Sequence, residues 1–387
     1  MKQVGPINTC RVCGQNYFDE TLLRYENMPA AAQYLPDDKS LRSDKGINLE
    51  VCQCSGCGLV QLSNHPVPYY KEVVRATAIS EEMRNFRLSQ FENFLQRFSL
   101  EGRKIIEIGC GRGEYLSLMQ QCGADAYGLE HSEESVAHCR KDRLKVSRGF
   151  VESDGYRIDN APFDAFYLLN FLEHLPDPNA VLRGIYENVT DNAVGLVEVP
   201  NFDMILRKKL FSEFTSDHLC YFTRETLNTA LRLNGFEIIN CDEVWYDYII
   251  SAVVKKKGKV NLSNFNECQA RLKDEIQEYV ARFKDNKVAI WGAGHQAFTV
   301  ISLANLSGKI RFVVDSAGFK QGKYTPATHI PIVSPDALKA EAVDAVIVMA
   351  AGYSNEVATI LRQTYDNKMH ISILRDYGLE YLENHEA

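Results

Sequence analysis

Residues 105–113 read Ile-Ile-Glu-Ile-Gly-Cys-Gly-Arg-Gly, an apolar run that breaks into three glycines at alternate positions. The run predicts a buried strand over Lys104 to Ile108, and the glycines a sharp turn whose backbone can pass close to a ligand. A helix over Glu114 to Cys122 should follow the turn. Ala126 to Leu129, Phe163 to Leu169 and Val194 to Val199 are further apolar runs of strand length. Strands and helices alternating at this spacing predict an α/β fold with a parallel, doubly wound sheet. Ahead of it, Met83, Phe86, Phe91, Phe94, Leu95 and Phe98 fall on one helical stripe; behind it, Val244 to Val254 predicts a closing strand or hairpin arm.

The turn departs from the dinucleotide fingerprint, whose third small residue would fall where this chain has Glu114. An acid at a helix start repels phosphate, so the expected ligand carries none there. A second acid, Glu130, ends the next strand, where it can accept hydrogen bonds from ribose hydroxyls. Glu107, the turn glycines Gly109, Gly111 and Gly113, and Glu130 together resemble the class I methyltransferases that use S-adenosylmethionine. The resemblance implies that Phe150 and Val151 hold the adenine and that Asn170 lies beside the cofactor.

Cys10-Arg-Val-Cys13-Gly and Cys54-Ser-Gly-Cys57-Gly are two Cys-x-x-Cys pairs. Four thiolates supply the closed tetrahedral site that Zn2+ prefers, with no open position for a reacting water, so the site serves folding. Cys52 is either a spare or a replacement for Cys54. A thioredoxin-type redox role fits less well, because that motif sits beside a βαβ unit. Residues 1–66 are expected to form this small zinc-binding domain, since a segment so short of apolar runs needs a staple. Residues 67–255 form the S-adenosylmethionine-binding domain and 256–387 a Rossmann-like domain. Lys255, Lys256, Lys257 and Lys259 read as a solvated linker, followed by a polar amphipathic helix near Phe265 to Phe283.

The last part alternates again. Val288 to Trp291, Ile310 to Val314 and Ala345 to Ala350 predict strands, and Ala297 to Leu306 a helix. Gly292-x-Gly294-x-x-Ala297 with Asp315 fits the dinucleotide fingerprint locally, and the helix start behind it can bind a phosphate. The unit is short for a full dinucleotide fold, which favours the nucleotide diphosphate of a substrate at Gly292 and Gly294.

Two histidines are chemical candidates. His174 follows the fourth strand, on the sheet edge where ligands bind. His218 lies in Ser216-Asp217-His218-Leu219-Cys220-Tyr221-Phe222, after the fifth strand. Asp217 is expected to hold His218 and raise its pKa toward neutrality, which suits a general base. A helix-capping or core role for His174 and a surface turn at His218 are the plainer alternatives.

A four-cysteine module, a class I methyltransferase core and a small C-terminal α/β unit together resemble the sugar-nucleotide C-methyltransferases, over nearly the whole chain. The matching marks are the two cysteine pairs, Gly58-Leu59-Val60-Gln61-Leu62, the Glu107 to Gly113 turn, Asp217-His218 with Tyr221-Phe222, the Gly292 turn and Thr325 to Pro331. The resemblance implies a 4-keto-deoxysugar nucleotide as substrate. His218 removes the C3 proton, His174 is one donor that steadies the enolate, and C3 takes the cofactor's methyl. Asp217 stands where the family has glutamate. The stretch from Val73 to Ser80 lacks the family's tyrosines, although Tyr69 and Tyr70 lie just before it; Arg75 and Tyr221 are the substrate-binding candidates there and in the His218 segment.

Methylation of oxygen or nitrogen on a nucleotide sugar is the second reading, and a non-catalytic zinc-containing binding protein the third. The formal charge of −8 opposes nucleic-acid binding. No apolar stretch is long enough to span a membrane, and the first thirteen residues lack the apolar core of a secretion signal. Eleven scattered cysteines fit a cytoplasmic protein with reduced thiols, as monomer or homodimer.

Overall fold

The computed structural model describes residues 7–31, 35–72, 79–284, 286–365 and 368–382. Two compact units form, Met1–Lys259 and Val260–Ala387. The first opens with antiparallel strands β1 (Leu23–Met28), β2 (Ile47–Gln53) and β3 (Val60–Leu62). Helix α1 (Glu81–Phe98) starts at Ser80, whose side chain caps Met83 N. There follow β4 (Lys104–Ile108), α2 (Glu114–Gln121), β5 (Asp125–Glu130), α3 (Glu133–Lys141), β6 (Lys145–Arg148), β7 (Phe163–Leu169), α4 (Pro178–Asn188) and β8 (Val189–Pro200). Helix α5 (Phe202–Lys208), the short strand β9 (Cys220–Tyr221), α6 (Arg224–Leu233) and the hairpin β10 (Phe236–Val244) and β11 (Ile249–Lys256) complete the unit.

The main sheet runs β10-β11-β8-β7-β4-β5-β6. β8, β7, β4, β5 and β6 are parallel; only β11 runs against them, and β10, antiparallel to β11, returns to their direction at the edge. Ile106 and Ile108 of β4 enter one core and Ile105 the other, which is why a strand covered on both faces reads as a continuous apolar run. Because the five strands are parallel, the turns after β4, β5, β7 and β8 share one edge.

The second unit holds α7 (Ser263–Ala281), β12 (Val288–Trp291), α8 (His295–Leu303), β13 (Val313–Val314), β14 (Ile332–Val333), α9 (Ala337–Ala340), β15 (Ala345–Val348), α10 (Ser354–Thr364), β16 (His370–Leu374) and β17 (Leu379–Leu382). Its sheet runs β14-β13-β12-β15-β16-β17, parallel except for β17. No helix among the described residues is long and apolar enough to cross a membrane.

Three features differ from the sequence reading. The N-terminal sheet is closed by β9, which pairs with β3, so residues 220–221 finish a sheet begun at residue 23. Its core is shared: Leu49, Val51, Val60 and Leu62 pack with Phe202, Ile205 and Phe214. Lys255 and Lys256 are not linker but the end of β11, and buried Lys256 donates to the Val189 carbonyl at 3.0 Å. Its stem covers apolar surface while its charge meets a carbonyl and the Tyr186 ring. Of Ile310 to Val314 only the last two residues form a strand; Ile310 and Phe312 are buried outside any ladder.

Candidate active site

The glycine turn is built as its sequence requires. Gly109, Gly111 and Gly113 all have positive φ (72°, 54° and 85°), which disfavours any side chain. Gly113 also faces Leu144 Cδ1 and Cys139 Sγ, which a Cβ would meet at 2.4 and 3.0 Å. Glu107 is buried beneath the turn and accepts from Tyr167 Oη at 3.1 Å. Glu130, at the end of β5, accepts from Gly111 N at 2.9 Å and Ser132 N at 2.8 Å. Burial raises its pKa against those two amides. Each carboxylate oxygen keeps a second lone pair, so Glu130 can still accept from a ligand's hydroxyls.

Phe150 is half-buried, edge-on to His131 and Phe171 at ring distances of 6.3 Å and to Tyr70 at 6.0 Å. The structure thus brings Tyr70 to this side of the site. Val151 packs into the core against Gly184, where a Cβ would lie 2.1 Å from its Cγ1, so only its main chain is left for adenine. Asn170 takes positive φ at the end of β7, donates its amide to Glu198 O at 2.9 Å, and keeps a buried Oδ1 with no partner.

Arg87 was not singled out in the sequence, because one charge inside the α1 apolar stripe reads as solvent-facing. Its side chain is fully buried. One guanidinium nitrogen, Nη1, meets Glu198 and Gln90; Gln90 Nε2 reaches the other Glu198 oxygen at 2.5 Å. Nε and Nη2 are buried without a hydrogen-bond partner. The guanidinium lies 5.0 Å from the ring centre of Tyr115, in the first turn of α2 beyond the glycines. Asn170 Oδ1 could accept from an ammonium, and the Arg87 guanidinium, held by the Glu198 side chain and beside Tyr115, could meet a carboxylate.

His174 and His218 come together, with rings 4.7 Å apart and nearly perpendicular. Glu173, which the sequence reading passed over, completes a cluster whose ligating atoms all lie within 4.8 Å of one another. His174 Nδ1 is 2.9 Å from the main-chain carbonyl of Asp217, and Leu219 N donates to Glu173 O at 2.8 Å. The Asp217 side chain accepts from Ser216 Oγ at 3.4 Å. The expected lift of the His218 pKa is not what the structure gives. Burial, with the His174 ring second, pushes it down to about 3, leaving a neutral imidazole. Burial likewise lowers His174 and pushes Glu173 up to about 8.

Tyr221 is 4% exposed, wedged against Phe214 and Phe202, and its hydroxyl accepts from Thr215 N at 3.0 Å. Arg75 lies outside the described residues.

The four cysteines of the first module gather as expected. Cys10 and Cys57 sulfurs are 3.6 Å apart, Cys13 and Cys54 3.3 Å, and all four lie within 4.8 Å of one another. A tetrahedron with metal–sulfur bonds of about 2.3 Å has edges of about 3.8 Å, close to this. Amides of Val12, Gly56 and Cys57 point at Cys10 and Cys54 sulfurs, which steadies thiolates. Cys52 stands outside the cluster, its thiol near Ser63 and Thr21.

In the second unit Gly292 has φ 122°, and a Cβ there would meet Met349 O at 2.5 Å; Gly294 opens α8 with clear space before it. Asp315 accepts from Ala293 N and Ala317 N, both at 2.9 Å, and from Lys320 Nζ at 2.8 Å. Burial alone would raise its pKa, but Lys320 and the two amides hold it below the usual value.

Residues 82–240 match the family model described as a methyltransferase domain, and residues 255–373 that of the C-methyltransferase C-terminal domain. The C-methyltransferase NovU of Streptomyces niveus is 24% identical over 402 aligned residues, covering 94% of each chain. The ubiquinone biosynthesis O-methyltransferase of Methylococcus capsulatus is 36% identical over 90 residues, 22% of this chain and 38% of that one. An S-adenosylmethionine-dependent methyltransferase of Clostridium acetobutylicum aligns in structure over 49% of this chain and 96% of its own, at 12% identity and TM-score 0.39. A class I S-adenosylmethionine-dependent methyltransferase is what the sheet, the turn and the matched domain define. More narrowly, residues 255–373 match the C-methyltransferase C-terminal domain, and the chain is similar to the C-methyltransferase NovU almost from end to end.

Proposed function

We propose that this enzyme methylates carbon C3 of a 4-keto-deoxysugar carried on a nucleotide. The observation that carries the reading is the meeting of two imidazoles, His174 and the neutral His218, near the sheet edge that bears the glycine turn. A C–H bond needs a base and its enolate needs a group that offsets the charge, and the two imidazoles supply one of each. The full-length alignment with NovU supports the same choice.

The main chain of the Gly109–Gly113 turn, Glu130, the Phe150 ring, Asn170 Oδ1 and the Arg87 guanidinium would hold S-adenosylmethionine. When bound, its sulfonium supplies the methyl group and a neutral leaving sulfur. His218, neutral in its buried setting, takes the C3 proton. His174 faces the oxygen on which charge develops. Asp217 orients His174 through its main-chain carbonyl. The four thiols hold zinc, which fixes the module without taking part in the chemistry. The Gly292–Gly294 turn is our candidate seat for the nucleotide diphosphate.

Labelled methyl transfer to a panel of nucleotide sugars, each 4-keto compound paired with its reduced counterpart, tests the reading. Stable carbon-bound label confined to the keto members is expected; label on the reduced members would make this an O- or N-methyltransferase.

A further inference from the structure

We propose that Glu173 is a proton store acting through His174: it gives its carboxyl proton to His174 Nε2 as negative charge grows on the substrate's carbonyl oxygen. The proposal rests on the carbon-methylation reading.

The argument begins with a tautomer. The partner of His174 Nδ1 is the Asp217 carbonyl, which can only accept, so Nδ1 carries the hydrogen. In a neutral ring Nε2 is then an acceptor, with nothing to offer an enolate. His174 can offset that charge only as an imidazolium, and that needs a proton source beside it. Glu173 Oε1 lies 3.8 Å from Nε2, so the two groups close by about 1 Å for the transfer. The Glu173 side chain is buried, and its Oε2 has no hydrogen-bond partner. A carboxylate in that position would be costly, so the group keeps its proton at rest. Leu219 N, held to Glu173 O at 2.8 Å, fixes this acid against the His218 loop.

The step balances. His218 takes the proton as the C3–H bond breaks; that electron pair forms the C3–C4 double bond, and the carbonyl π pair moves onto O4. Glu173 loses its proton to His174 Nε2, and the positive charge of the imidazolium so formed offsets the negative charge growing on O4. When C3 takes the methyl group and the sulfur–methyl bond breaks, the ketone re-forms and the proton returns from His174 to Glu173. His218 releases the C3 proton to solvent, so one proton leaves per turnover. In the resting enzyme the transfer runs uphill, because burial favours the neutral form of both groups. It becomes favourable only with charge on O4, so it stabilises the transition state more than the ground state.

Full-length wild type, Glu173→Gln and Glu173→Asp are compared for methyl transfer to a 4-keto nucleotide sugar across pH. In parallel, 13C NMR follows the Glu173 side-chain carbon without substrate. Glu173→Gln is expected to lower kcat about 100-fold with KM little changed, and to lose the fall in kcat above roughly pH 8. Glu173→Asp should keep part of the rate and keep that fall. An unchanged kcat in Glu173→Gln, or an alkaline fall that persists in it, overturns the proposal. If wild type methylates no 4-keto sugar, the carbon-methylation reading fails instead. The NMR signal then decides: a neutral Glu173 carboxyl at pH 7 supports the store, and an ionised one overturns it.

Discussion

Gln61 lies opposite Cys220 in the β3–β9 ladder, and Cys220 is two residues along the chain from His218. The reinforcing bond from Leu62 N to Leu219 O is 3.0 Å. The candidate base is therefore carried on the end of the metal module's sheet. Arg11, next to Cys10, holds the other side, with Nη1 2.6 Å from Leu62 O and Nη2 2.7 Å from Asn64 O.

Loss of metal should then reach the chemistry through position. Cys57→Ser is expected to bind less zinc and to lower methyl transfer at least about tenfold, while cofactor affinity changes little. Metal analysis beside calorimetric titration checks both arms.

The positive φ at Gly111 makes a side chain strained there. Gly111→Ala should weaken S-adenosylmethionine binding by about 1–2 kcal/mol, or roughly 5- to 30-fold. An unchanged Kd would remove the turn from the cofactor site.

His218→Asn should leave cofactor binding intact and cut turnover about 100- to 10,000-fold. In the wild type the neutral ring persists until the pH nears about 3. No acid limb from His218 is thus expected in the kcat profile between pH 5 and 7. A limb near pH 6.5 that vanishes in the variant would show a solvated ring instead.

Arg87→Lys keeps the charge beside Glu198 but loses the fork of donors. Affinity for S-adenosylmethionine should fall about tenfold, whereas an analogue lacking the carboxylate should bind both proteins alike. Equal losses for the two ligands would mean that Arg87 serves packing alone.

Glu173 carries a pH signature in stability. Its folded pKa of about 8 stands above the ordinary 4.5, so the folded state holds a proton that the unfolded chain releases. The contribution is present at low pH and is lost as pH rises toward 8. Glu173→Gln should accordingly gain stability relative to wild type between pH 5 and pH 8, by up to a few kcal/mol. Urea unfolding at both pH values measures this.

The parts of the fold legible in the sequence are those where one short segment decides its own shape. β4 and the glycine turn are read directly from Ile105 to Gly113, and Phe163–Leu169 matches β7 residue for residue. Cys10, Cys13, Cys54 and Cys57 are legible because metal chemistry fixes their spacing. What escaped depends on distant partners. β9 is two residues long and has meaning only beside β3. Arg87 and Lys256 look solvent-facing until Glu198 and the Val189 carbonyl come to meet them. Glu173 sits between Leu172 and His174 with no spacing that marks it, and its chemistry comes from burial, which one segment does not encode.

The late arrival of β9 orders events during synthesis. The strand that closes the N-terminal sheet leaves the ribosome roughly 160 residues after Gln61, so the cysteine knuckles are complete long before their sheet is. Metal capture can come first and hold an open edge until residues 220–221 arrive. A nascent chain stalled before that point would carry the ion yet present β3 unpaired, an exposed strand edge open to adventitious pairing with another chain.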